Sequence, residues 1–210
     1  MSATPQVTIS ENGTVSVIKN QFNASPLGLM GFGLTTILLN LLNADILPST
    51  SMSVILSMGL FYGGIAQIVA GVFEAKQDHT FGATVFLSYG FFWLSFFGLN
   101  LFPMAGLTPL APPDAVGIYL ALWGVFTAGM SVVTFKKNTA LQTIFVSLTI
   151  LFFLLAASDF TSNAVLRRVA GYEGLFCGAS AIYLAFAEII NEVYDREILP
   201  IGDKQVKLAK

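Results

Sequence analysis

Six apolar runs divide this chain, at about residues 26–43, 53–73, 80–102, 116–135, 139–158 and 172–191. Each is close to the roughly 20 residues that a helix rising about 1.5 Å per residue needs to cross about 30 Å of hydrocarbon. A segment crossing lipid must satisfy its backbone groups internally, so these runs predict an all-α integral membrane protein, a single bundle of six transmembrane helices. Charge agrees, since 10% of the residues are charged against roughly 25% in a soluble domain. The ten basic and twelve acidic residues gather between the runs, so the net charge says little about partners.

The first run does not read as a cleavable signal peptide, because a polar stretch precedes it with no basic cluster before the apolar core. Residues 1–22 are rich in Ser, Thr, Asn and Val without helical period and read as a disordered cytoplasmic tail. Residues 23–194 make the transmembrane domain and 195–210 a short charged tail. With the amino terminus inside, inner segments carry Lys19, Lys76, Lys136, Lys137, Arg196, Lys204, Lys207 and Lys210, and outer loops carry Arg167 and Arg168. That bias places both termini in the cytoplasm. The turn Lys136–Thr139 is so tight that the fourth and fifth helices must be antiparallel neighbours. A three-helix inverted repeat, common in transporters, is not evident.

Small residues recur where helices would touch: Gly59, Gly63, Gly64, Ala70 and Gly71 on the second, Gly117, Ala121, Gly124 and Ala128 on the fourth, Gly174, Gly178, Ala181 and Ala185 on the sixth. In lipid such rows let backbones approach and gain dispersion contacts, and they read as packing. Polar residues within the runs are costly to leave without partners. Thr35, Thr36 and Asn40 on the first helix, Gln67 on the second, and Ser88 and Tyr89 on the third either line a path or act as interhelical hydrogen-bond glue, and periodicity does not choose. Trp93 and Asn100 read as glue. Glu74, Asp78, Glu192 and Asp195 read as solvated helix-end residues, Glu173 as a carboxylate opening the sixth helix at the positive end of its dipole. Glu188 reads as a rim acid paired with a lysine, or else as a proton carrier.

Enzyme readings fare poorly. His79 is the sole histidine, Cys177 the sole cysteine, and no carboxylate or Cys/His cluster has metal spacing. Ser180 lacks an intramembrane histidine to activate it, and no glycine loop has the context of a phosphate site. No cofactor, metal or nucleic-acid partner is implied.

Five blocks in order carry a resemblance: SPLGLMGFGLTTILLNL (25–41), FYGGIAQIVAGVFE (61–74), DHTFGATVFLSYGFFWLSF (78–96), YLALWGVFT (119–127) and CGASAIYLAFAEIINE (177–192), with LPIG at 199–202. They resemble the acetate uptake transporters, the YaaH or succinate/acetate permease type. The resemblance implies a six-helix subunit assembled as a homohexamer in the lipid bilayer of the inner membrane, each subunit with its own path for acetate and related short carboxylates such as succinate. It implies a hydrophobic constriction of Phe32, Tyr89 and Leu148, and a selectivity position at Ala181. Two departures stand out: Asn23, Ala24, Ser25 and Pro26 replace a signature that begins Asn-Pro, and Glu173 stands where an apolar residue is common. Uncharged donors, Thr35, Thr36, Asn40, Gln67, Ser88 and the Tyr89 phenol, would then stabilise a desolvated carboxylate without a fixed cation to trap it. Proton-linked uptake leads, an uncoupled anion channel is the close rival, and a sensor or scaffold that binds without moving its ligand is a third reading.

Overall fold

The structure is a computed structural model that describes residues 22–203 together with the strand residues Gln6–Ile9 (β1) and Val15–Ile18 (β2). The two strands pair antiparallel, Gln6 opposite Ile18 and Ile9 opposite Val15, within the segment expected to be a disordered tail. Val7, Thr8 and Ile9 in β1 and Val15, Val17 and Ile18 in β2 supply the β-branched residues that pairing favours.

Helices follow: α1 (Ser25–Asn43), α2 (Met52–Met58), α3 (Gln67–Ala75), α4 (Thr80–Met104), α5 (Pro113–Thr134), α6 (Thr139–Thr161) and α7 (Ala164–Val193). A π-helical stretch, Gly59–Ala66, joins α2 to α3. Together with a short 3₁₀ turn at Ser49–Ser51, these make one continuous crossing, Ser49–Lys76. Among the described residues, six helices are long and apolar enough to cross a membrane, as the apolar runs predict, and the protein is a multi-pass membrane protein.

Glycines set the packing. Around the π stretch, a Cβ on Gly63 would lie 2.9 Å from the Trp93 ring and one on Gly64 2.6 Å from Leu94, so the second crossing lies against α4. A Cβ on Gly31 of α1 would meet the Tyr62 carbonyl at 2.7 Å. Between α1 and α7, Gly33 and Gly178 each face the other's carbonyl, at 2.8 and 2.9 Å from an added Cβ. Gly117 and Gly124 of α5 receive Phe160 and Phe153 of α6, which makes those two helices the antiparallel neighbours that the tight turn requires.

The sixth crossing begins earlier than its apolar run. Asn163 caps α7 by accepting from the Val165 and Leu166 amides, and Arg167 and Arg168 lie on its first turns, ion-paired with Asp159 and Asp45. These pairs neutralise charge at one end of the bundle. At the other end, residues after α7 fold back: the Thr139 amide donates to Gly202 O at 2.9 Å, the Tyr183 hydroxyl to Pro200 O at 2.7 Å, and Asn191 brackets Ile198 and Leu199. The expected tail is therefore docked as far as Asp203, and residues 204–210 lie outside the described residues.

Candidate functional site

Phe32 comes from α1, Tyr89 from α4 and Leu148 from α6, and all three are buried. The Phe32 and Tyr89 ring centroids are 6.0 Å apart. Phe126 and Phe145 pack on the Tyr89 ring at 5.6 and 6.2 Å, so the aromatic cluster fixes its plane. Two small cavities share Phe32, Tyr89 and Leu148 as lining, and these residues therefore form the wall between them. One cavity, about 20 Å³, adds Leu29, Gln67, Val85 and Phe145; the other, about 30 Å³, adds Thr36, Asn40, Trp93 and Leu155. Each has room for about one or two waters, which need roughly 10–15 Å³ apiece.

The first cavity leads to a vestibule of about 480 Å³, since both are lined by Leu29, Val85, Phe86 and Phe145. Polar and charged groups surround the vestibule: Asn23, Ser25, Glu74, His79, Lys137, Asn138, Glu188 and Asp203. Glu74 is buried against Gly82 and pairs with His79 Nδ1 at 3.2 Å. Lys137 stands over the Phe81 ring, 5.0 Å from its centroid. Glu188 sits beside Ser25 and Asn23, and its Oε2 has no hydrogen-bond partner. Vestibule, small cavity, three-residue wall and second small cavity follow one another along a single line of shared residues.

Hydrogen bonding closes the wall itself. Thr127 Oγ1 donates to Trp123 O at 2.7 Å, so its contact with Tyr89 at 2.8 Å takes the phenolic proton. Tyr89 is thus no free donor, contrary to the sequence expectation. Asn40 is also engaged, its Nδ2 donating to Thr36 O and its Oδ1 accepting from Asn43. Among the described residues, the buried unpartnered polar atoms on the two small cavities are Thr36 Oγ1, Trp93 Nε1 and Gln67 Oε1.

Residues 8–196 match the model of the GPR1/FUN34/yaaH family. The chain belongs to this family. It is 52% identical to the succinate-acetate/proton symporter SatP of Escherichia coli K12 over 86% of this chain and 95% of that protein. It is 37% identical to the ammonia transport outward protein 2 of Saccharomyces cerevisiae, over 80% of this chain and 61% of that one. The solved structure of the bacterial acetate channel SatP superposes with a TM-score of 0.84 at 52% identity, covering 86% of this chain and 99% of that one. These relatives are named for transport or conduction rather than for an enzyme activity.

Within that family frame, the remaining candidates divide. Thr35 is fully buried with an unpartnered hydroxyl, but it faces Gly63 of the second crossing. Ser88 is half-buried, and neither it nor Ala181, buried on α7, lines the vestibule or the two small cavities. Two readings of acids are corrected. Glu74 is not solvated, because Gly82 leaves a niche into which its carboxylate folds. Glu173 does not open its helix: α7 starts at Ala164, and Glu173 accepts from Ser147 Oγ at 2.5 Å in mid-helix. Glu188 faces the vestibule, and among the described residues no lysine pairs with it. Trp93 and Asn100 are not glue either, since Trp93 Nε1 is unpartnered and Asn100 bonds back to Phe96 O of its own helix. Thr127, missed in the sequence, would have been found by asking which hydroxyl on the fourth crossing serves the tyrosine.

Proposed function

We propose that this protein carries acetate, and succinate or other short carboxylates, across the inner membrane, each subunit of a homohexamer having its own path and both termini lying in the cytoplasm. Phe32, Tyr89 and Leu148 are the constriction, and the vestibule opens to the cytoplasmic side, where Lys76, Lys136 and Lys137 cluster. The observation that carries this reading is the succession of vestibule and cavities meeting at one apolar wall, within a chain half identical to a succinate-acetate/proton symporter. An apolar wall without a free donor disfavours a charged carboxylate at the narrowest point. A proton crossing with the substrate relieves that cost, which supports proton-linked uptake. The channel reading is kept by a different observation: no carboxylate or cation lines either small cavity, so nothing there obliges a proton to move.

Acetate flux into proteoliposomes at clamped potential tests both. Symport predicts accumulation above the outside concentration when the outside is acidified. Equilibration without accumulation, once passive diffusion of acetic acid through protein-free vesicles is subtracted, selects the channel. Absence of protein-dependent flux refutes the transport reading.

A further inference from the structure

We propose that the outward groove between α6 and α7 is a second binding site, separate from the substrate path, for a protonated amine with an apolar tail, whose N–H donates to the free oxygen of Glu173. Two open hollows, of about 310 and about 580 Å³, share Thr139, Thr143 and Phe176 as lining and so form one groove. None of their lining residues borders the vestibule or the two small cavities. Glu173 and Ser147 line the deep end, roughly 12–14 Å from the starts of α7 and α6 at about 1.5 Å per residue. The pair therefore stands at hydrocarbon depth. At the other end the chain after α7 forms the floor, held where the Tyr183 hydroxyl donates to Pro200 O and the Thr139 amide to Gly202 O.

Glu173 is left incomplete by the fold. Ser147 Oγ donates to its Oε1 at 2.5 Å, whereas Oε2 is buried without a partner. Among the described residues no lysine, arginine or histidine pairs with it. A carboxylate at membrane depth is costly unless a cation and a hydrogen-bond donor reach it, and its oxygens only accept. The missing partner must bring both. A protonated amine does so, whereas a quaternary ammonium has charge without an N–H and an alcohol has an O–H without charge.

The rest of the groove suits a tail. Phe176, Ser180 and Tyr183 follow Glu173 at three- and four-residue steps, so all four share one face of α7. Phe176 is 57% exposed and Tyr183 40%, which opens that face outward to lipid. A ring one turn from the carboxyl adds cation–π attraction for the amine head, and Val146 and Ile150 of α6 give the groove an apolar wall. From Glu173 to Tyr183 the stripe runs roughly 15 Å at about 1.5 Å per residue, enough for an extended alkyl tail of about ten carbons.

The test is binding of radiolabelled decylamine to the full-length protein in nanodiscs, with partition into protein-free discs subtracted. Saturable binding at one amine per subunit is expected, and sodium acetate does not displace it because groove and path share no lining. Glu173→Gln, which keeps the shape of the side chain, weakens binding at least about tenfold, the effect of one charge-assisted hydrogen bond lost. Thr143→Phe, filling the groove where its two halves meet, abolishes binding with the carboxyl intact. Melting of each variant shows that it is folded. Decyltrimethylammonium and decanol, with the same tail, compete poorly. Saturable binding that survives either substitution, or that decyltrimethylammonium displaces as well as decylamine does, overturns the proposal. Absence of saturable binding overturns it too and leaves the groove to lipid or to a second copy of the chain.

Discussion

Of the three residues proposed as the constriction, Leu148 is the one whose size is most readily changed, because it has no hydrogen bond and no ring partner to disturb. It is buried between the two cavities, so truncation to alanine merges their ends. Leu148→Ala is expected to admit longer monocarboxylates and to cost about 2–5 kcal/mol of stability, the usual range for a buried leucine. Uptake of acids of graded length, with melting of the purified variant alongside, checks both halves. An unchanged length profile in a folded variant removes Leu148 from the constriction. Tyr89 differs, since Tyr89→Phe leaves the ring in its aromatic cluster and frees only Thr127 from its phenolic partner.

Between elements, the deciding contacts are backbone approaches that glycine alone permits. A Cβ on Gly171 would fall 2.4 Å from Ala44 N, and neither backbone can give way without moving α1 from α7. On Gly129 of α5 it would meet nothing within 4 Å. Gly171→Ala should therefore lower the melting temperature of the detergent-solubilised protein sharply, whereas Gly129→Ala should hold or raise it, alanine being the better helix former by about 1 kcal/mol. Equal melting of the two variants would contradict the packing described for α1 and α7.

This is also the scale at which the sequence is least explicit. Apolar length and a tight turn reveal crossings and neighbours because both are local properties. The π stretch is not local in that sense: nothing in the spacing of Gly59, Gly63 and Gly71 announces i→i+5 bonding across Gly59–Ala66, and all three still face α4. The start of α7 was hidden because Arg167 and Arg168 end the apolar run, while their ion pairs with Asp159 and Asp45 let the helix continue. Glu173 was misread as a cap for that reason. Phe32, Tyr89 and Leu148 were placed by likeness to a family, not by any pattern within the runs, since a shared wall is made by three separate helices. Trp93 reads as glue in the sequence because an orphaned donor is visible only when its surroundings are known.

Across the whole molecule the two sides of the wall differ in charge. The vestibule holds Glu74, Glu188 and Asp203 against Lys137 and His79, with Glu74 already tied to His79, whereas the far cavity is lined by neutral groups. Glu188, with an unpartnered oxygen facing the vestibule, is the carboxylate best placed to repel an entering anion, and repulsion within a confined low-dielectric space is stronger than in bulk water. Protonating it removes that charge, so entry from the vestibule is expected to rise as the pH on that side falls. Glu188→Gln removes the charge permanently. While the unaltered carboxyl is ionised, the variant should carry acetate from the vestibule side a few times faster than the unaltered protein, the effect of about 1 kcal/mol of repulsion relieved. As the pH on that side falls the two should converge, because the unaltered carboxyl then takes up a proton. Uptake into inside-out vesicles bathed in acetate at each pH measures this side alone, and a variant whose pH profile parallels that of the unaltered protein would mean that the vestibule acids do not govern entry.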